Sequence, residues 1–73
     1  MTFIQYVRKA QGCYAITQTS DDRKVRRNAV RRLSYANDMA LRAWDALSVR
    51  ERRLVKACDG VFVNKHGYVE FVD

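Results

Sequence analysis

Six cations fall within ten residues of this chain: Arg23, Lys24, Arg26, Arg27, Arg31 and Arg32. Guanidinium forks and ammonium groups at that density match clustered carboxylates or phosphate oxygens, so the chemistry they offer is recognition of an anionic surface. On a helix, Arg23, Lys24, Arg27 and Arg31 would project over about 100° of one face, with Arg26 and Arg32 at its margins. Like charges four residues apart weaken a helix by a few tenths of a kcal/mol per pair. A merely solvated face needs no such repetition, so the ridge reads as a binding surface. Arg52, Arg53 and Lys56 form a second basic group farther along the chain.

Catalytic material is sparse. The single histidine, His66, stands in a turn-like Asn64-Lys65-His66-Gly67 segment with no serine, cysteine or aspartate in a relay spacing. Asp21, Asp22, Asp38, Asp45, Glu51, Asp59, Glu70 and Asp73 are scattered rather than paired, and no glycine-rich phosphate loop occurs. Cys13 and Cys58 lie 45 residues apart without a CxxC motif. They read as small buried apolar residues rather than metal ligands or a redox pair. No cofactor, metal, small-molecule substrate or enzymatic activity is expected.

The whole chain, residues 1–73, has the length of one small domain. A core of this size supplies only about 3–5 kcal/mol net, so a partner would add to its stability. Fourteen Lys and Arg against eight Asp and Glu give a net charge of +6, and ten of the fourteen cations are arginine. An acidic protein surface, nucleic acid or an anionic membrane would each satisfy that charge. No segment approaches the roughly 20 apolar residues of a membrane span, and Met1–Gly12 does not read as a signal peptide. A reducing cytoplasm is the expected compartment.

The elements that must position these residues follow from period and punctuation. Thr2 caps a short first helix with Phe3, Ile4, Val7 and Ala10 at helical spacing, and Gly12 stands where a left-handed terminator fits. Cys13–Thr19 alternates and is rich in β-formers, a candidate strand, although a continuous helix through Gly12 costs only about 1 kcal/mol. Ser20 or Asp21 caps a second helix beginning near Asp22, whose core stripe is Val25, Ala29, Leu33, Ala36, Ala40, Ala43, Trp44 and Leu47. A break near Asn37 stays open.

Ser48-Val49-Arg50-Glu51 has capping-box spacing and opens a third helix that Gly60 can close. Leu54, Val55 and Cys58 would line its inner side and Arg52, Arg53 and Lys56 its outer side. Val61-Phe62-Val63 and Tyr68–Val72 flank a four-residue turn, the signature of a hairpin that packs on the helices or pairs with Cys13–Thr19. The fold class is a small α+β domain, helical in majority, with a C-terminal β-hairpin. Trp44 reads as a core anchor, and Tyr6, Tyr14, Phe62, Tyr68 and Phe71 are assigned to packing rather than to base stacking. Asn28, Ser34 and Tyr35 are the residues beside the ridge suited to reading bases.

The segment Leu47-Ser48-Val49-Arg50-Glu51 through Gly60 resembles the opening helix of the DNA-binding domains of LuxR-type response regulators, which begin L-[ST]-x-R-E. The thirteen residues after Gly60 read as a hairpin and leave no room for that family's recognition helix, so only the capping box is shared. In size, charge and organisation the whole chain resembles the small phage-encoded regulators of host bacterial RNA polymerase. That resemblance implies inhibition or reprogramming of transcription through an acidic polymerase surface, by displacement of the initiation factor or suppression of termination.

The docking residues on this reading are Arg23, Lys24, Arg26, Arg27, Arg31, Arg52, Arg53 and Lys56, with Phe3, Tyr6 or Tyr68 as an apolar anchor. Direct binding of DNA or RNA through the same ridge is the alternative, and inhibition of another acidic host protein a third reading.

Overall fold

The Thr2 hydroxyl accepts from the Gln5 amide and the Gln5 side chain accepts from the Thr2 amide, a reciprocal cap that opens α1, Phe3–Thr19. The structure is a computed structural model and describes residues 1–72. After the Ser20–Asp22 connection, α2 runs Arg23–Ala46, and Ser48 opens α3, Val49–Asp59. Gly60 ends α3 in the left-handed region at φ 67°, a conformation open to glycine at little cost. The chain then forms β1, Val61–Val63, and β2, Val69–Phe71, an antiparallel pair with Val61 opposite Phe71 and Val63 opposite Val69. This is the expected small α+β domain with a helical majority and a terminal hairpin.

Asn64 organises the turn between the strands. Its side-chain oxygen accepts from the His66 and Tyr68 amides at 2.9 and 3.0 Å, and Gly67 takes φ 83°. The expected four-residue turn with a left-handed glycine is thus present.

Two expectations about the N-terminal third are corrected. Cys13–Thr19 is not a strand and does not join the hairpin; it continues α1, and Gly12 lies inside that helix rather than ending it. The helical alternative wins because it buries Cys13, whose wall is shared with Ala29 and Val25 of α2. The Thr17 and Thr19 hydroxyls donate to the Tyr14 and Ala15 carbonyls, so neither β-branched residue leaves its hydroxyl unpaired. The cap of α2 is Asp22 rather than Ser20 or Asp21, its carboxylate accepting from the Lys24 and Val25 amides at 2.8 and 3.2 Å. No break occurs near Asn37, and α2 is one helix of 24 residues.

α1 and α2 pack along a seam of small residues, Ala10 and Cys13 against Ala29, Ala36 and Ala40. The larger core side chains collect at one end, where Phe3 and Val7 meet Ala40, Trp44 and Val61, with Leu47, Val55, Val63 and Val69 packed around them. The Phe3 and Trp44 rings are 5.0 Å apart and tilted. Most of the expected stripe on α2 therefore faces inward, but Val25 is exposed, because few side chains cover the far end of the helix pair. A 24-residue helix spans about 36 Å, and the molecule is 42 Å long against 24 and 22 Å in its other dimensions. The result is a packed base carrying a two-helix arm.

The two glycines make opposite predictions. A Cβ at Gly12 meets nothing within 4 Å in a helix interior, so Gly12→Ala raises stability by about 0.5–1 kcal/mol. Gly60→Ala forces a side chain into the left-handed region and lowers stability by about 1–2 kcal/mol. Urea unfolding of both variants followed by circular dichroism measures the two signs.

Candidate functional site

The arm exists because α1 and α2 run antiparallel beyond the base, and it places the N-terminal turns of α2 at its far end. Arg23, Lys24, Arg26, Arg27 and Arg31 are all exposed there, as is Arg32. None has a carboxylate within 4 Å among the described residues, where the one ion pair joins Arg52 to Asp45 at 4.0 Å. Helical spacing puts Arg23, Lys24, Arg27 and Arg31 on the side of α2 away from the buried Ala29 and Ala36. The ridge is therefore assembled as expected, at the tip of a projecting element.

Its position on the helix is electrostatically unfavourable. Four cations stand within the first five residues of α2, at the positive end of its dipole, and no acidic residue lies in the first turn. The Asp22 cap supplies a carboxylate just ahead of that turn, but it is engaged with two amides. Local stability gains nothing from this placement, whereas an approaching anion meets both the side chains and the dipole.

The second basic group is not one patch. α3 turns Arg52 and Val55 toward the core and leaves Leu54, Lys56 and Cys58 exposed, the reverse of the expected facing for Arg52, Leu54 and Cys58. The Arg52 guanidinium lies 5.4 Å from the Trp44 ring centre, and its Nε donates to the Trp44 carbonyl at 3.1 Å. Its Nη2 reaches the Asp45 carbonyl at 3.4 Å. The Lys56 ammonium sits 4.4 Å over the Phe62 ring. Long cationic stems thus cover the aromatic core where aliphatic side chains were expected. Arg53 is exposed and covers no aromatic ring, at the opposite end of α2 from the ridge.

Ser48 and Glu51 form the expected capping box, with the Ser48 amide donating to Glu51 at 2.9 Å. That bond, and then the Ser48 hydroxyl, hold the Glu51 carboxyl below its ordinary pKa. A lowered value means that the stabilisation is present above the ordinary carboxylate range and is lost as the pH falls through the folded-state value.

The aromatic residues divide differently from the expectation. Phe3 is buried against Trp44 and is unavailable as an anchor, and Tyr6 is half-buried, while Tyr68 is 70% exposed at the hairpin turn. Tyr14 and Phe71, assigned to packing, are 56% and 50% exposed. Their residue types gave no sign of this, because it depends on how far the hairpin reaches along α1. Together with Val7, Ala10, Gln11, Leu33, Asn37 and Val69 they line an open groove of about 490 Å³ beside the arm. Among the described residues no group of three potential metal ligands occurs, and no helix is long and apolar enough to cross a membrane.

The family models, the curated proteins and the solved structures contain no match to the chain.

The two arginines of α3 are separable by experiment. Arg52→Ala removes a carbonyl bond and the cover of Trp44 and lowers stability by about 1 kcal/mol. Arg53→Ala changes stability by less than about 0.5 kcal/mol. Equilibrium urea unfolding of the two variants measures the difference.

Proposed function

We propose that the protein is a non-enzymatic docking module that regulates transcription in the bacterial cytoplasm by binding an acidic surface of RNA polymerase. The observation that carries this reading is the arm tip, where Arg23, Lys24, Arg27 and Arg31 are exposed without a carboxylate partner among the described residues. The arm projects from a base that holds most of the core, so it can enter a concave acidic surface without disturbing the fold. Inhibition follows when the occupied surface is one that an initiation factor or a termination signal needs.

Charge brings the partners together and orients them, whereas tight binding needs desolvated apolar contacts as well. Tyr14 and Phe71, on the groove beside the arm, supply them better than the buried Phe3. An apolar groove next to a cationic ridge favours a protein partner over a bare phosphate backbone, for which cations and stacked aromatics suffice. Binding of DNA or RNA through the same cations is the second reading, supported by the arginine content of the ridge. Arg53 lies too far from the ridge to share one small contact, and Arg52 and Lys56 are committed to Trp44 and Phe62.

The double variant Arg23→Glu/Arg27→Glu abolishes binding to purified bacterial RNA polymerase while its circular dichroism spectrum stays that of the parent. Fluorescence anisotropy of a labelled chain titrated with polymerase reads the loss. Unchanged affinity with an intact spectrum removes the ridge from the contact.

A further inference from the structure

The hairpin is a two-stranded sheet with one edge beside the groove. Its bonded pairs fall at Gly60 with Val72, where the Val72 amide donates to the Gly60 carbonyl at 2.7 Å, and at Asn64 with Tyr68, where the Asn64 amide donates to the Tyr68 carbonyl at 2.8 Å. In an antiparallel ladder the bonded pairs alternate, so Phe62 and Glu70 bond to each other. Val69 and Phe71 then direct their backbone N–H and C=O groups away from β1. No other strand pairs with β2 among the described residues. Both residues line the groove, together with Ala10, Tyr14 and Leu33.

A strand placed about 4.8 Å beyond β2 would lie on that platform and complete the backbone bonding of Val69 and Phe71. Its residues opposite Val69 and Phe71 would face the same side as those two, into the groove. The residue between them would stand opposite Glu70, on the outer face, where another carboxylate is repelled. Along α2 the groove side continues from Asn37 and Leu33 through Val30 to Arg26, residues spaced at helical intervals on one flank. Val30 is exposed, Arg26 is exposed, and no acidic residue lines the groove.

We propose that the free edge of β2 and the groove beneath it take an extended segment of a partner protein as a third strand. That segment is apolar at the two positions facing the groove, neutral or basic between them, and acidic at the end lying over α2, where Arg26 meets it. The occupant is a peptide strand rather than a helix because the platform offers a row of free backbone donors and acceptors, which a helix cannot use. A second copy of this chain is disfavoured: pairing β2 with itself about Glu70 would oppose two carboxylates and join two bodies of net charge +6. The proposal deepens the function above and rests on its claim of an acidic protein partner.

The test is selection of a displayed random decapeptide library on the full chain, followed by amide NMR of the chain with the enriched synthetic peptide. The expected peptides alternate with period two and carry an acidic flank, and they shift the Val69 and Phe71 amides. N-methylation at the two bonding positions and the variant Phe71→Asp each weaken binding at least tenfold. Arg53→Glu leaves peptide binding within threefold, since Arg53 is exposed on α3 and does not line the groove.

Four results overturn the proposal: no enrichment, enriched peptides with helical spacing, indifference to N-methylation, or displacement of the peptide by oligothymidylate binding the same residues. Peptide binding at β2 without any binding to polymerase keeps the third-strand site and removes the polymerase reading. Polymerase binding that is lost in the arm variant but unaffected by Phe71→Asp does the reverse.

Discussion

Trp44 is the contact through which the rest of the molecule is assembled. The residue is 8% exposed and its ring packs on Phe3 from α1, while Val61 of β1 shares the same buried cluster. Its carbonyl, near the end of α2 and no longer needed by a further turn, accepts from the Leu47 amide and from Arg52 of α3. Three helices and the hairpin are thus referred to one side chain and one backbone oxygen. In a chain of 73 residues a core cannot be large, and concentrating it at one end leaves the remaining helix length to be held by other means.

Small residues provide those means. Ala10 and Cys13 on α1 and Ala29 and Ala36 on α2 let the two backbones approach closely, so the arm is held by helix contact with few large side chains. A narrow two-helix arm has most of its surface exposed, and this chain fills the tip of that surface with cations at the wrong end of the α2 dipole. A fold selected for stability alone would place them near the C-terminus of the helix. Their present arrangement favours an approaching anion, as the proposed contact requires, and the groove beside the arm adds apolar area.

Much of this was legible in the sequence where the chemistry is local. The Ser48–Glu51 box, the left-handed Gly60, the Asn64–Gly67 turn and the inward Ala and Trp44 stripe all follow from residues close in the chain. What failed depends on partners distant in sequence. Cys13–Thr19 alternates like a strand, yet α2 offers it a seam of small residues, and propensity yields to that packing. On α3 the apolar Leu54 and Cys58 point outward because Arg52 and Lys56 find aromatic rings to cover, a choice that no periodicity rule for aliphatic residues contains. The cationic ridge was visible from spacing alone, whereas the groove was not, since its walls come from three elements that meet only in the folded chain.

The central claim is that the ridge recognises protein directly. Isothermal titration of the chain into nucleic-acid-free bacterial RNA polymerase, alongside duplex and single-stranded DNA and RNA of mixed sequence, tests it most directly. The account predicts saturable one-to-one binding to the polymerase that weakens modestly with salt, and weaker binding to the nucleic acids. No binding to polymerase, with nucleic-acid affinity that falls log-linearly and steeply with salt, would contradict it.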